Sequence, residues 1–403
     1  MKNKLILLLI TCVLSAFTGC GTVTTQTVHE QNPTSQTTAP QPTATEQTTT
    51  EATPEEPVLA EVVFLAAGDN LIHSSLYKQA AARADGGGYD FAFAYQNIAD
   101  LISVADIAVI NQETIVSDLF PPSTYPRFNS PTALGDHMIE LGFNVFTIAN
   151  NHTLDMGEQG LLASLDYWDG KENIVVAGVY RNAADRDNIR TNTVNGITFS
   201  YLSYAEQLNG LSLPEGSPVI IGRIDSELMV SEIKKAKSVS DFCVVALHWG
   251  VEDSPLVSDS QRALAQILAE AGADIIIGTH PHVLRDIELL TRADGTQALC
   301  AYSLGNFISA QNQARNLIGG VLQFKVTMQL NDNDPNRRPV ISGIEFIPLI
   351  THFDGSYQNV RLYKFSEYTP ALAEANGVKR FDSKFSYDYI GTVLKEISYI
   401  SDS

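Results

Sequence analysis

The chain has 403 residues with 26 basic and 46 acidic side chains, which gives a formal net charge of −20. We do not expect so acidic a protein to bind nucleic acid, because it would repel the phosphate backbone. Hydrophobic residues make up 44% and charged residues 18%, a globular composition that excludes a disordered, collagen-like or multi-spanning chain. Four cysteines are too few for disulfide bonds to stabilise a chain of this length, so its stability must come from a buried apolar core.

Residues 1–19 have the pattern of an export signal. Lys2 and Lys4 precede an apolar run that ends at Phe17 and is too short to span a bilayer, which takes about 20 residues. Small residues stand directly before Cys20, which resembles the lipobox of bacterial lipoproteins. We therefore expect residues 1–19 to be removed, and Cys20 to be lipidated and to hold the exported protein on the outer face of the cell membrane.

Residues 20–57 are predicted to form a stalk. The segment is rich in Thr, Gln and Pro and has almost no bulky apolar side chains. It cannot bury enough apolar surface to offset the entropy lost on ordering. A flexible tether of this length has a root-mean-square span of roughly 35 Å. The predicted order is therefore lipid anchor, stalk and one domain over residues 58–403.

From residue 58, apolar runs rich in β-branched residues alternate with segments of helical periodicity. The predicted strands are 61–67, 107–111, 145–149, 174–179, 242–247 and 275–278. The predicted helices are 91–104, 131–141 with Ser130 as cap and Pro131 first, 157–169, 225–236 and 259–271. Alternation of this kind predicts an α/β sheet with helices on both faces.

The last third of the chain has a different pattern. Longer strands are predicted at 298–302, 320–329 and 340–349, with a turn-rich segment at 331–336 and a terminal helix over 387–400. Asn195-Gly196 between 190–194 and 197–204 is typical of a β-hairpin. These antiparallel elements favour a mixed sheet or two packed sheets over a pure Rossmann fold. The sequence contains no dinucleotide fingerprint or Walker-type phosphate loop.

Candidate metal ligands follow the predicted strands, where open α/β sheets bind their ligands. They are Asp69 with His73, Glu113, Asn150-Asn151-His152 with Asp155, His248, and His280-Pro281-His282. The His-x-His spacing would place both rings on one side of an extended segment. A mixed set of His, Asp, Glu and Asn suits Zn, Mn or Fe. Two such ions about 3.5–4 Å apart, sharing one carboxylate, can clamp an ester during an in-line displacement.

Each of these motifs alone has an ordinary structural explanation. Asp69 could lie in a turn, Glu113 could be a solvated carboxylate, and His248 could be a hydrogen-bonded core histidine. Apart from His73, four of the eight histidines nevertheless fall in these strand-end motifs, namely His152, His248, His280 and His282. This concentration favours a metal site over a set of unrelated loops.

Several residues have two open interpretations. His73 could contact substrate or only solvent, and His352, which with Asp354 follows a late predicted strand, stays open as a site residue. Arg127 could grip a carboxylate or phosphate bidentately, or could be a surface loop arginine. Cys243 and Cys300 both fall in apolar strands, as buried small hydrophobes do, and whether they pair stays open.

Taken together, these motifs resemble those of the CapA family of bacterial capsule or poly-γ-glutamate synthesis proteins over about residues 62–307. The segments that carry the resemblance are Gly68-Asp69, Asn111-Gln112-Glu113-Thr114, Ile148–Gly157, His248-Trp249-Gly250, Gly278–Val283 and Tyr302-Ser303-Leu304-Gly305-Asn306-Phe307. The resemblance implies the fold of the calcineurin-like metallophosphoesterases. That fold is α/β, with two packed mixed β-sheets flanked by helices in four αββα layers.

The resemblance also implies roles for the candidate residues. The implied metal ligands are Asp69 and His282 for a first ion, Asn151, His248 and His280 for a second, and Glu113 as the bridge. The candidate catalytic residues are His152, which would protonate the leaving oxygen or stabilise the transition state, Asp155 and Arg127. In two respects the sequence departs from the family pattern, because His73 stands four positions after Asp69 and glutamate replaces aspartate at the bridge.

Two functions are consistent with these motifs. The first is a surface-tethered, metal-dependent hydrolase or transferase that acts on phosphoester or amide bonds of an anionic envelope polymer such as poly-γ-glutamate. The second is a scaffold that binds or exports the polymer without cleaving it, in a capsule-synthesis complex at the membrane. A solute-binding or adhesive lipoprotein would leave the strand-end ligands unexplained.

Overall fold

The structure is a computed structural model that describes residues 58–331 and 338–399. The predicted signal, Cys20 and the stalk lie outside the described residues, as do most of the predicted turn at 331–336 and the end of the predicted terminal helix at Ile400. None of the helices in the two described ranges has the length and apolar content that crossing a bilayer requires.

Strands and helices alternate through most of the described chain. The strands are β1 Leu59–Asn70, β2 Ile107–Gln112, β3 Ile115–Val116, β4 Asn129–Ser130, β5 Val145–Thr147, β6 Val175–Ala177, β7 Val179–Tyr180, β8 Arg190–Val194, β9 Ile197–Ala205, β10 Ile220–Ile221, β11 Phe242–His248, β12 Ile275–Thr279, β13 Ile287–Thr291, β14 Gln297–Ala301, β15 Asn306–Ile308, β16 Ile318–Gln329, β17 Val340–Asp354 and β18 Gln358–Lys364. The α-helices are α1 Ser74–Arg83, α2 Ala92–Tyr95, α3 Ala99–Ser103, α4 Thr132–Leu141, α5 Gly157–Asp169, α6 Ala183–Asp187, α7 Ser226–Lys237, α8 Asp259–Ala271, α9 Pro370–Ala375 and α10 Tyr387–Glu396. Short 3₁₀ helices cover Gln96–Ile98, Ala314–Leu317, Phe365–Glu367 and Gly377–Arg380.

The two large sheets of the described chain are both mixed. The first has the strand order β18-β17-β16-β1-β2-β5-β6, with β15 beside the end of β1. In it β1, β2, β5 and β6 are parallel, while β16, β17 and β18 join antiparallel. The second has the order β13-β14-β12-β11-β9-β8, with parallel strands inside and antiparallel β13 and β8 at the edges. The predicted hairpin around Asn195-Gly196 is confirmed as β8–β9.

Side chains alternate across the strands and so build a separate core on each face of a sheet. Along β1, Phe64 and Ala66 join the apolar core between the sheets, whereas Leu65 and Ala67 pack with the helices of the first sheet. On the outer face of the second sheet, residues such as Val245 join a core with α7 and α8. The layer order is therefore helices, sheet, sheet, helices, which confirms the predicted αββα architecture.

The structure corrects three of the predicted elements. The helix predicted at 91–104 is broken into short pieces, and Asn97 in its middle donates a hydrogen bond to Leu362 O of β18. The strand predicted at 174–179 is divided at Gly178, which has φ 109° and lies so close to Ala149 that a Cβ would be 2.6 Å away. Pro131 caps α4 instead of opening it, because Ser130 belongs to β4.

Cys243 and Cys300 are free, buried thiols. They lie on β11 and β14, and β12 pairs between these two strands. Two strand spacings place the cysteines at least about 9.5 Å apart, whereas a disulfide needs Cα atoms within about 7 Å. The structure therefore shows the two residues as small apolar core groups.

Candidate metal centre

The predicted ligands come together where the carboxyl ends of both sheets meet. From the first sheet, Asp69 lies near the end of β1, and Glu113 directly follows β2. From the second sheet, His248 ends β11, and His280 and His282 follow β12. All five are at most 3% exposed, so they form a buried polar cluster at the end of an apolar sandwich.

The first ligand group consists of Asp69, Glu113 and His282, whose ligand atoms lie within 4.8 Å of one another. Nδ1 of His282 is 3.3 Å from Oδ2 of Asp69, and its Nε2 is 3.8 Å from Oε1 of Glu113. The main-chain N–H of His280 donates to Asp69 Oδ2 at 3.2 Å. This group thus contains one imidazole and two carboxylates.

The second ligand group consists of Glu113, His248 and His280. Nε2 of His248 lies 3.1 Å from Nδ1 of His280 and 3.6 Å from Oε1 of Glu113. The amide oxygen of Asn151 is 2.9 Å from the same His248 nitrogen, so it adds a further oxygen atom that could bind a metal ion. The structure therefore brings together all six predicted ligands, and Glu113 is common to both groups.

Glu113 provides the test of whether these residues fit a metal. Its side chain is fully buried, and neither carboxylate oxygen has a hydrogen-bond partner within the described residues. Burial, and then the neighbouring Asp69, raise the pKa of Glu113 well above its ordinary value. A buried carboxylate without partners is costly unless a cation neutralises it. The site therefore fits divalent metal, for which carboxylate, imidazole and amide groups are suitable ligands.

The histidines differ in their protonation. Burial and the neighbouring histidines His280 and His282 lower the pKa of His248 well below its ordinary value. Burial, with His282 as a further cause, lowers the pKa of His280 to about 4. Burial also opposes charge on His282, but Glu113 and Asp69 raise the pKa of His282 to about 10. His248 and His280 are therefore neutral at pH 7, the form in which imidazole binds metal.

The His-x-His segment is bent. The prediction of an extended segment from its spacing is wrong. β12 ends at Thr279, and both histidines have a positive φ, 94° for His280 and 58° for His282. Residues other than glycine rarely adopt this left-handed backbone conformation unless surrounding contacts hold them there. The two rings still come to 6.1 Å between centroids, but through a bent loop.

Asn111 belongs to the motif that contains Glu113, and its side chain lies between the two ligand groups. Its Nδ2 donates to Asp69 Oδ1 at 2.7 Å and lies 3.3 Å from His248 Nδ1. The Oγ1 of Thr279 is also near this nitrogen, at 3.0 Å. Contacts of this kind orient metal ligands, but amide and hydroxyl side chains have no local sequence signal that reveals them.

His152 lies beside the ligands and is oriented by Asp155. The Nδ1 of His152 is 2.7 Å from Asp155 Oδ2, which also accepts a 2.6 Å hydrogen bond from the main-chain N–H of Phe128. The Phe128 ring contacts the rings of both His152 and His73 edge-on, at 4.8 and 5.3 Å between centroids. Arg127 precedes Phe128 on this loop and is exposed. Its role as an anion clamp stays a prediction.

His73 and His352, whose roles the sequence leaves open, lie in different parts of the structure. His73 directly precedes α1 as its N-cap, and its Nδ1 lies 3.1 Å from Leu71 O and 3.2 Å from the main-chain N of Ala310. Burial lowers the pKa of His73 to about 4. His352 instead lies on β17, with Nδ1 2.8 Å from the Tyr368 hydroxyl and Nε2 3.1 Å from Asp354. These contacts make His352 part of the packing around β17.

The fold and the buried ligand groups define an α/β protein with a candidate metal centre between two sheets. Residues 63–311 match the family described as bacterial capsule synthesis protein PGA_cap, and the chain belongs to this family. It is 35% identical over 187 residues to the PGA biosynthesis protein CapA of Bacillus subtilis (strain 168), covering 46% of this chain and 47% of that protein. It is 30% identical over 220 residues to the capsule biosynthesis protein CapA of Bacillus anthracis, covering 51% and 52%. The chain thus matches about half the length of these curated relatives.

Two solved structures are also similar to the chain. The 5'-nucleotidase precursor from Thermus thermophilus aligns with TM-score 0.43 and 13% identity, over 83% of this chain and 58% of that chain. The calcineurin-like phosphoesterase YfkN from Bacillus subtilis aligns with TM-score 0.40 and 15% identity, over 84% and 100%. Because both TM-scores are low, the fold is assigned from the αββα layers of this chain, and the family from its sequence match.

Proposed function

We propose that the chain is a metal-dependent hydrolase or transferase that acts on phosphoester or amide bonds of an anionic envelope polymer, poly-γ-glutamate being the first candidate. The observation that carries the proposal is the position of Glu113, buried without hydrogen-bond partners among the described residues and shared by two groups of ligands. The names of the Bacillus relatives, which concern PGA and capsule biosynthesis, support the choice of polymer.

Two divalent ions, of Mn, Fe or Zn, would be held by the two ligand groups, which share Glu113. When bound, such ions polarise the oxygen of a phosphoryl or carbonyl group as Lewis acids. Asp155 fixes the His152 ring through Nδ1, which leaves Nε2 as the nitrogen that can pass a proton to the leaving group. Phe128 packs against this ring and restricts its movement.

Recognition of a polyanion needs local positive charge, because the chain as a whole carries −20. Bound cations would reverse the sign at the centre, and Arg127 on the exposed loop next to Phe128 would grip a carboxylate or phosphate. The proposed setting is the outer face of the membrane, where lipidated Cys20 and the stalk would hold the domain near a capsule-synthesis complex. These partners and this anchor are part of the proposal.

The test begins with metal analysis of the full chain and of two variants, Glu113→Gln and His280→Ala. Near-stoichiometric Mn, Fe or Zn in the parent chain, lost in both variants, is expected. Glu172→Gln and His137→Ala serve as matched controls because Glu172 is exposed and His137 lies in α4, and both should retain metal. A parent chain that binds no metal after reconstitution would overturn the proposed centre.

Activity is then measured on bis(p-nitrophenyl) phosphate, on γ-glutamyl amides and on poly-γ-glutamate. Turnover that needs metal and is lost in His152→Ala would support catalysis. A metal-loaded chain that retains poly-γ-glutamate without cleaving any of these bonds would favour the non-catalytic scaffold instead. Full activity in both His152→Ala and Glu113→Gln would contradict the catalytic assignment.

A further inference from the structure

We infer that Asn306 is a positioning residue that makes His282 present Nε2, and not Nδ1, to a metal ion. The inference rests on the metal centre proposed above and assigns a role to the segment Ser303–Ser309, here called the bracket segment. Asn306 is 2% exposed and lies at the start of β15, beside the end of β1. It touches His282 but is not itself one of the six ligands.

The orientation of the Asn306 amide is determined by its surroundings. Its Nδ2 lies 2.9 Å from the main-chain oxygen of Asn316, 2.7 Å from Oε1 of Gln311 and 3.0 Å from Oγ of Ser309. A main-chain carbonyl only accepts hydrogen bonds, so the amide nitrogen must face Asn316. The amide oxygen therefore faces His282, at 3.0 Å from its Nδ1.

Two acceptors consequently surround one nitrogen of His282. Besides the Asn306 oxygen, Oδ2 of Asp69 lies 3.3 Å from Nδ1. Because neither oxygen can donate, Nδ1 must carry a hydrogen whether the ring is neutral or charged. The nitrogen left for a metal is Nε2, which faces Oε1 of Glu113 at 3.8 Å.

His280 presents the opposite nitrogen. Its Nδ1 lies 3.1 Å from Nε2 of His248, inside the second ligand group. The two histidines of the His-x-His segment would thus bind metal through different ring atoms. Only the orientation of His282 depends on Asn306, so a substitution at Asn306 should act on the first ligand group.

The bracket segment also holds the main chain around this group. Gly305 O accepts a 3.0 Å hydrogen bond from the N–H of Asp69, and the Ser303 hydroxyl donates to Val283 O at 2.7 Å. A Cβ on Gly68 would lie 1.9 Å from Gly305 O, so only glycine permits this approach. Asp69 and His282, both ligands of the first group, are therefore fixed by one segment.

The experiment compares the full chain with Asn306→Ala, using Zn²⁺ titration and NMR of ¹⁵N-labelled histidines. Removing a residue that orients a metal ligand typically weakens metal binding by about 10–100-fold. We expect a loss of that size at one of two Zn²⁺ sites, with the other retained. In the metal-free parent chain we expect a protected Nδ1–H of His282, which should exchange rapidly in Asn306→Ala.

One variant and one measurement on the parent chain separate positioning from folding. Asn376→Ala removes another buried asparagine, which bonds Thr351 O in the packing around β17, and should leave Zn²⁺ binding unchanged. If Asn306→Ala does not fold, NMR of the Zn²⁺-loaded parent chain decides the matter. A proton on Nδ1 of His282 would support the role, and a proton on Nε2 would contradict it.

The outcomes also separate this inference from the proposed function. A parent chain that binds two Zn²⁺ ions, with Asn306→Ala binding them equally well, would overturn the role of Asn306 and leave the metal centre intact. Zn²⁺-bound His282 with a proton on Nε2 would overturn it as well. A parent chain that binds no Zn²⁺ would overturn the metal centre itself, and with it this role.

Discussion

Asp155 holds His152 and the neighbouring loop through a single atom. Its Oδ2 is 2.7 Å from Nδ1 of His152 and accepts the 2.6 Å hydrogen bond from Phe128 N–H. One carboxylate oxygen therefore sets both the orientation of the imidazole and the position of the aromatic ring beside it. Neither group is among the six predicted ligands, so this pair can be altered without removing a metal donor.

We predict that Asp155→Asn lowers kcat on a cleaved ester or amide by about 10–100-fold, because general acid catalysis contributes about 10²–10⁴-fold. KM and metal content should change little. The measurement is steady-state kinetics with elemental analysis of the same sample. Asp169→Asn, on the exposed end of α5, is the matched control and should behave as the parent chain. An unchanged kcat in Asp155→Asn would show that Asp155 is not needed to orient His152 for catalysis.

Glu113→Gln should have opposite effects on the metal-free and metal-loaded protein. The metal-free variant should melt a few degrees higher, because a neutral amide replaces a buried carboxylate that has no hydrogen-bond partner among the described residues. Metal at 100 times its Kd should stabilise the parent chain by about 2.7 kcal/mol per site. That gain should disappear in the variant. Thermal melts of the parent chain and the variant, with and without metal, test both the higher Tm and the lost stabilisation. Glu172→Gln is the control and should behave as the parent chain.

His73 should make the metal-free protein sensitive to acid. Burial lowers the pKa of His73 to about 4 in the folded state, against about 6.5 when unfolded. The unfolded chain therefore binds a proton that the folded chain does not, so His73 contributes a loss of stability as pH falls from 6.5 towards 4. We predict that the fall in Tm between pH 7 and pH 5 is smaller in His73→Gln than in the parent chain.

The control for this prediction is His137→Gln, because His137 is a half-buried histidine outside the ligand groups. Burial also lowers the pKa of His137, but the nearby carboxylates of Glu140 and Asp90 oppose this shift. Its effect on acid sensitivity should be smaller than that of His73. Equal pH dependence in His73→Gln and the parent chain would show that His73 titrates normally in the folded protein.

The sequence pattern was sufficient to predict that the candidate ligands come together, because each follows an apolar run that the fold uses as a strand. It was less informative where long-range contacts decide the structure. β1 extends beyond its predicted end at Ala67 to Asn70, because Asp69 pairs with Asn111 on one side and Asn306 on the other. Such pairing joins residues far apart in the chain, so the hydrophobic periodicity of a short stretch of sequence does not reveal it.

The same limit applies to the details of the site. The bent His-x-His loop depends on contacts from the bracket segment, which lies about twenty residues further along the chain. The contact of His352, on β17, with the Tyr368 hydroxyl likewise became apparent only from the packing. Residue types and spacing thus predicted which polar groups the fold brings together, whereas ring orientation and hydrogen-bond partners required the three-dimensional arrangement.

Arg127 leads to the last prediction, which concerns how the site holds an anionic substrate. It is exposed on the loop whose next residue, Phe128, packs against His152. If its guanidinium grips a carboxylate or phosphate, Arg127→Ala should raise KM for a polyanion about 10-fold and leave kcat nearly unchanged. Arg127→Lys should recover only part of this loss, because an ammonium group lacks the bidentate geometry.

The comparison is made on poly-γ-glutamate and on a neutral ester, at low and high salt. Only the KM for the polyanion should depend on Arg127, and the difference between variants should shrink at high salt as charges are screened. Arg380→Ala removes another exposed arginine and controls for the change in net charge. An equal rise in KM for the neutral ester, or an equal effect of Arg380→Ala, would show that Arg127 does not contact the substrate's charge.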